Sequence, residues 1–551
     1  MNEINDHAME YDANLEAQIL VRNSFYTGLY NFTTILFSML YSFFVARLLT
    51  PNAWDVLILA ASLILIITQI SRLFPPALER TYNYYIPKFL LLKQEKNLKT
   101  FIKAGIIFKL STLIPLFFIS LLLFQPISSI LPLELQDNIL LLFLLSPLII
   151  FDSLSLTLNS INFGFNKANL NFYLYLLRII ITLVSLLFLY LFEDYVNVEL
   201  IALIIVVSYL FPFIINCLIV TITYIKLREL GSDDFSFRKV SKTTIKYGSP
   251  LLLNYFNDAF WPEFQKIGIG FFNIGGTVAG FSAASSYSNI SKAVLNSFSG
   301  SLIVSFSRMY TAKNVKNPEV TYNLVLKYSL FLICFVSGLL FVLTDFSLKL
   351  IYTEEYLSYS ILFKILIITI PFQILINPFD ANLSAKDKTK LIAPIKVITI
   401  IVQLISFFTL LVYFNVIGAV IGLLLAEIIN FFFYLIIHFK IAKLRIQLKK
   451  FLFQFIIFFG TIFIITLIEL IWLNNFYRTM MSNLNLDILM DFPIFSLILF
   501  FFIFFGFNFT FKIITKQDME SLEVLFSQKG FLNVVIRKVS KIIKKLAFFK
   551  N

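Results

Sequence analysis

The stretch IALIIVVSYLFPFIINCLIV, residues 201–220, decides the class of fold. None of its side chains is charged. Wound as a helix at 1.5 Å per residue it reaches about 30 Å, the thickness of bilayer hydrocarbon. Glu199 bounds it on one side and Lys226 on the other, so the polar flanks also sit where headgroups would begin. Working outward, similar apolar runs recur from Ser24 to Phe511. The chain has 551 residues, 59% of them hydrophobic, with 14% charged and a mean hydropathy of +0.85. An ordinary soluble domain is about 25% charged and has no way to bury so much apolar surface. The expectation is an all-α polytopic membrane protein with about fourteen transmembrane helices.

Charge placement orients these spans. With the N-terminus inside, 33 of the 45 Lys and Arg fall in inner loops and tails, and only Arg47, Lys349 and Arg478 lie on the outer side. That asymmetry is the positive-inside pattern, and it puts both termini in the cytoplasm and the chain in the cell membrane as a multi-pass protein. The net charge of +13 is therefore read as membrane topology, with no nucleic-acid partner. Residues 1–23 carry Glu3, Asp6, Glu10, Asp12 and Glu16 against Arg22 and lack an apolar h-region, so no cleavable signal peptide is expected.

The expected organisation is an acidic cytoplasmic N-terminus at 1–23 and an N-lobe of six spans at 24–224. A cytoplasmic linker at 225–247 leads to a C-lobe of six more at 248–440. Two added spans follow at 441–511, and then a basic tail at 512–551. Within the tail, residues 530–549 place apolar side chains at helical spacing among five bases, the pattern of an amphipathic helix on an anionic leaflet. An even number of spans per lobe gives both lobes the same orientation, as in parallel-repeat transporters.

Polar residues inside spans carry the functional signal. In the first span Thr27, Tyr30, Asn31, Thr34, Ser38 and Tyr41 recur mostly three or four apart and form one stripe. The second adds Asp55, Ser62, Gln69 and Arg72, the seventh Asn254, Asp258, Glu263, Gln265 and Lys266, and the eighth Asn289, Lys292 and Asn296. A single Asn or Ser in a membrane helix is often packing glue. A charge is different, since each one facing lipid at mid-bilayer costs about 2.5–3.5 kcal/mol on insertion scales. Asp258, Glu263, Lys266 and Lys292 should therefore pair with each other or line a hydrated substrate cavity, together with Asn31, Arg72, Asn254, Asn289 and Asn296. A second polar pattern, Asp152 in the fourth span and Asp380 in the tenth, fits an inner gate, a cation site or interlobe packing. No GxxxxGK[ST] motif is present, His7 and His438 are isolated, and no cofactor or metal site is expected.

Several segments resemble the polysaccharide-biosynthesis flippases, the O-antigen group of the multidrug/oligosaccharidyl-lipid/polysaccharide exporter superfamily. Ala46-Arg47-Leu48-Leu49-Thr50-Pro51 closes the first span, and Tyr247-Gly248-Ser249-Pro250-Leu251-Leu252 opens the seventh. Val278-Ala279-Gly280-Phe281, Ile351-Tyr352-Thr353-Glu354-Glu355-Tyr356 and Ile417-Gly418-Ala419 follow in the family's order. The resemblance covers roughly 24–440. It departs at Asp55, where the family usually has Gly, and at Ser305-Phe306-Ser307-Arg308, which lacks a proline often found there.

The resemblance implies a two-lobe transporter, not an enzyme, with a central cavity between spans one, two, seven and eight. It also implies the cargo: an oligosaccharide on a polyprenyl phosphate or diphosphate carrier, moved to the outer leaflet by alternating access among membrane lipids. The coupling ion, H+ or Na+, is left open. Two alternatives remain at this point: a cation-coupled multidrug-type exporter of the same superfamily, and a membrane-embedded glycosyltransferase or polymerase.

Overall fold

The fold is taken from a computed structural model. It describes residues 13–128, 130–192, 196–227, 236–249, 260–272, 275–292, 318–385, 391–442, 447–469, 493–511 and 513. Every regular element among them is helical, which makes the chain an all-α polytopic membrane protein. Ten described helices are long and apolar enough to cross a membrane, and a shorter apolar one runs over 494–508. The described helices do not by themselves fix the expected count of fourteen. One long helix is a folded hairpin, and the expected seventh and eighth spans are described only in part.

The chain forms two compact units. The first comprises residues 1–289, 351–362 and 389–426. It opens with α1 (Ala13–Leu48), α2 (Pro51–Ile70), α3 (Leu78–Leu91) and α4 (Glu95–Ser128). Two short helices, α5 (Leu133–Gln136) and α6 (Leu140–Leu145), precede α7 (Pro147–Gly164), α8 (Ala168–Phe192), α9 (Val198–Ile225) and α10 (Phe237–Gly248). After these come α11 (Trp261–Phe272) and α12 (277–292). The α1–α2 corner has a local cause. Thr50 is extended, its hydroxyl accepts from the Ala53 amide at 3.3 Å, and Pro51 starts the helix where a missing N–H costs nothing.

Helices α3 and α10 lie in stretches that hydropathy leaves as loops. Leu78, Tyr82, Ile86 and Phe89 form the inward stripe of α3 and are buried with Phe101 and Ile102 of α4, Leu158 of α7 and Val240 of α10. Fully burying such a side chain contributes about 1.5–3 kcal/mol, enough to fold a short helix without any transmembrane run. The Tyr82 hydroxyl satisfies itself by donating to the Ile102 carbonyl at 2.9 Å.

The long helix α16 (Ile392–Ile437) follows α13 (Pro318–Ile351), α14 (Ser360–Thr369) and α15 (Ile376–Ala385) in the chain. Its 46 residues would measure about 69 Å if straight, more than twice the hydrocarbon thickness. Phe414 and Asn415 leave helical geometry, with Asn415 at φ 55°, and the chain doubles back there. Gly418 and Gly422, four apart, let the two arms meet. A Cβ on Gly418 would lie 2.1 Å from the Leu410 carbonyl oxygen, and one on Gly422 2.4 Å from that of Ser406. This is the small-xxx-small rule acting inside one hairpin.

The second unit comprises residues 290–350, 363–388 and 427–551. In it α17 (Leu448–Ile468) packs on α18 (Ile494–Thr510). Phe331 and Phe335 of α13 interleave with Phe500, Phe501, Phe504 and Phe505 of α18, ring centroids 5.4–6.0 Å apart. Apolar aromatic packing of this kind holds helices together where water offers no driving force. The tail expected to form an amphipathic helix, 530–549, lies outside the described residues.

Candidate functional site

A cluster of charge sits where α2 ends. Ser71 turns its hydroxyl to the Thr68 carbonyl at 2.6 Å and meets the Ser153 hydroxyl of α7 at 2.7 Å. Lys109 of α4, wholly buried, donates to the Ser71 carbonyl at 2.7 Å and lies 4.0 Å from the Glu79 carboxylate of α3. Next to Ser71, Arg72 donates to Gln69 Oε1 at 2.8 Å. Asp152 of α7 stands in the field of Arg72, Arg178, Lys109 and Glu79. The Arg178 guanidinium of α8 lies 3.5 Å above the Tyr209 ring of α9, and Tyr30 of α1 shares the same field, its ring 4.4 Å from that of Tyr175. Among the described residues three bases of this cluster thus face two acids, an arrangement whose net positive charge suits something anionic.

Of the residues expected in a cavity or gate, Arg72 and Asp152 belong to this cluster. Lys109, Arg178 and Glu79 are additions. For the two bases the signal was present in the sequence: a base inside an apolar span is costly enough to demand a partner or a function.

Asn31 is exposed on α1, one residue from Tyr30. Glu263 and Lys266 pair with each other across one turn of α11, at 2.9 and 3.1 Å, so this half-buried pair answers its own charge. Asn289 is exposed on α12. In the second unit Lys292 lies in the field of Glu427, whose Oε1 accepts from Gln373 Nε2 at 3.1 Å. Glu427 therefore has a hydrogen-bond partner and a base in its field. Asp380, half-buried on α15, belongs to the same unit. Asn254, Asp258 and Asn296 lie outside the described residues.

Beside the charged cluster Asn159 and Asn162 of α7, Asn171 of α8 and Asn216 of α9 form a closed amide network. Its bonds run Asn162 to Asn216 at 2.8 Å, Asn216 to Asn159 at 2.9 Å and Asn162 to Asn171 at 3.2 Å. Asn159 and Asn162 act there as packing glue between three helices. His438, buried, bonds the Tyr322 hydroxyl and the Tyr434 carbonyl, and so is satisfied within the core. Among the described residues no cluster of His, Cys, Asp and Glu is arranged to hold a metal.

A second charged feature closes the corner at the start of α2. The fully buried Asp55 carboxylate accepts from the backbone amides of Val278, at 3.3 Å, and Ala279, both in the first turn of α12. It thereby caps the positive end of that helix. Arg47, at the end of α1, does the converse. Its Nη1 donates to the carbonyl of Ile351, the last residue of α13, at 2.6 Å, and the guanidinium rests 3.7 Å over the Phe43 ring. Trp54 adds an aromatic seal, stacked at 23° on Tyr352 with its edge against Tyr356. The position where the family usually has Gly thus holds a carboxylate with a definite task.

This is a helical membrane fold with buried charge at both ends of α2. A family model, MatE, matches residues 276–409. Solved structures share the fold over most of the chain. A lipid II flippase, MurJ, in an inward closed conformation aligns with a TM-score of 0.64 at 14% identity, covering 88% of this chain and 98% of its own. A multidrug resistance MATE family transporter of the MOP superfamily, inward-facing, gives 0.62 at 13%, covering 76% and 98%. The Vibrio cholerae MATE transporter VcmN, as a point mutant, gives 0.55 at 15%, covering 78% and 97%. No curated protein sequence matches the chain. The fold is shared with this flippase and these exporters, and the MatE match falls inside the region that carries the resemblance.

Proposed function

We propose that the protein moves a polyprenyl phosphate- or diphosphate-linked oligosaccharide from the cytoplasmic to the outer leaflet of the cell membrane by alternating access. The observation that carries this reading is that, among the described residues, the cluster sets three bases, Arg72, Lys109 and Arg178, against two acids, Glu79 and Asp152. A phosphate group is the complement of that surplus, while a small cationic drug is not. The polar stripe of α1, with Asn31 and Tyr30, offers hydroxyl and amide partners for sugar. In this reading Asn254, Asp258, Lys292 and Asn296 remain the further residues expected to meet the cargo.

In the same reading the Asp55 cap and the Arg47 contact close the outer side. Both bonds use backbone ends of helices, so they form or break as whole helices tilt, with little side-chain rearrangement.

Purified protein in liposomes, given a fluorescent polyprenyl diphosphate oligosaccharide in the inner leaflet, should expose the sugar to an impermeant glycosidase added outside. Arg72→Gln should slow that exposure at least tenfold, since a lost hydrogen bond to a charged group is worth about 1.5–3 kcal/mol. Transport of a cationic dye with no effect on the lipid-linked sugar would favour the cation-coupled exporter instead, for which Asp258 and Glu263 are the expected carboxylates.

A further inference from the structure

Helix α10 has two faces with opposite characters. Val240, Thr244 and Gly248, at i, i+4 and i+8, are buried, and Gly248 sits so close to Pro76 that a Cβ would lie 1.9 Å from its carbonyl oxygen. The opposite arc carries Arg238, Lys239, Lys242 and Lys246, all exposed, and the helix holds no acid. Between these bases Ile245 remains 47% exposed, and Phe237 in the first turn 48%.

Its depth is fixed by its neighbours. The Phe237 ring lies 6.2 Å from Phe108 of α4, and Tyr247 stacks at 5.2 Å and 19° on Tyr84 of α3. Above Lys109, α4 runs from residue 110 to 128 without a charge, about 28 Å of helix and a full hydrocarbon crossing. The turns of α4 that carry α10 therefore fall at the edge of the hydrocarbon, on the side of the basic loops. A basic helix lying there presents its cations to headgroups and its Ile and Phe to the acyl boundary.

We propose that the outer face of α10 binds the anionic phospholipid headgroups of the leaflet on the basic side. The occupant is the bilayer's own lipid, distinct from the cargo. From Arg238 to Lys246 the four bases extend along about 12 Å of helix, wide enough to span neighbouring headgroups, whereas one diphosphate would engage only a single turn. Exposed Arg80 and Lys88 on α3, the latter 6.0 Å from the Tyr84 ring, continue the same positive field and add no carboxylate to it. Cation, aromatic ring and exposed aliphatic thus meet at one level, as membrane-interface anchors do.

The test uses the full chain in liposomes without any cargo, so its outcome is independent of the flippase reading. A fluorophore on Ile245→Cys, with Cys217 and Cys334 replaced by Ser, reports lipid contact through quenching by brominated acyl chains. Brominated phosphatidylglycerol should quench several-fold more than brominated phosphatidylcholine at equal mole fraction, and high salt should remove the difference. Neutralising all four bases to Gln should equalise the two lipids, whereas Lys242→Arg with Lys246→Arg should preserve the preference. Equal quenching by both lipids at low salt in the otherwise unaltered chain would overturn the proposal. So would a preference that survives neutralisation in protein that still elutes as one sharp species.

Discussion

Lys109 is the residue on which the charged cluster depends most, because nothing of it reaches solvent and its acid partner Glu79 stands at 4.0 Å. Removing one member of a buried pair strands the other, at a cost of about 3–5 kcal/mol, while removing both leaves only a repacking problem. Glu79→Gln and Lys109→Met should each lower the melting temperature in detergent, and the double variant should lose less than the two losses added together. Strict additivity would mean that the two charges are independent. Asp55→Asn tests the other feature. The amide keeps one acceptor for the α12 amides but loses the charge that faces the helix dipole, about 1–2 kcal/mol. Cysteines placed on the far side of Trp54 should become more reactive to an impermeant thiol reagent as the closure loosens, and unchanged reactivity would remove Asp55 from the gate. Arg72 and Asp152 were legible in the sequence as charges inside spans. Glu79 was not, because it falls outside any apolar run and acquires its meaning only when α3 folds back against α4.

At the scale of elements, the hairpin of α16 depends on two glycines, and its sequence shows them openly as Gly418 and Gly422. Gly422→Val would drive a branched side chain into the Ser406 carbonyl and the Phe407 Cα, which are backbone atoms unable to step aside. Overpacking of that kind costs about 1–3 kcal/mol and sometimes more, so a clear fall in melting temperature is expected. Gly460 supplies the control: a Cβ there meets nothing within 4 Å, and Gly460→Ala should be neutral or stabilising by up to about 1 kcal/mol through helix propensity. Equal damage at both sites would show that generic helix effects, and not arm-to-arm contact, dominate. Long spans were readable because a 20-residue apolar run has few other fates. The short helices α3 and α10 escaped because their apolar stripes are only three or four residues wide, and a hydropathy window averages them with the Lys and Arg on the opposite face.

For the whole molecule, the sign of charge decides between the two transporter readings, and that sign can be measured through the membrane potential. The composition led to the helical membrane fold, but not to what is carried, since a flippase and a drug exporter each share that fold with this chain, at 14% and 13% identity. In the proposed cycle the cluster of three bases and two acids accepts a phosphate-bearing headgroup and releases it outside. Moving net negative charge outward is favoured by an inside-negative potential, by about 2.3 kcal/mol per charge per 100 mV. Exporting a cation is opposed by the same amount. In sealed vesicles holding the labelled polyprenyl diphosphate oligosaccharide, a potassium diffusion potential negative inside should accelerate outward exposure of the sugar. Reversing its polarity should slow exposure below the rate at zero potential. If the reversed potential accelerated transport, the charge crossing with the cargo would be net positive, and the surplus of base around Arg72 would have to be neutralised by something other than phosphate.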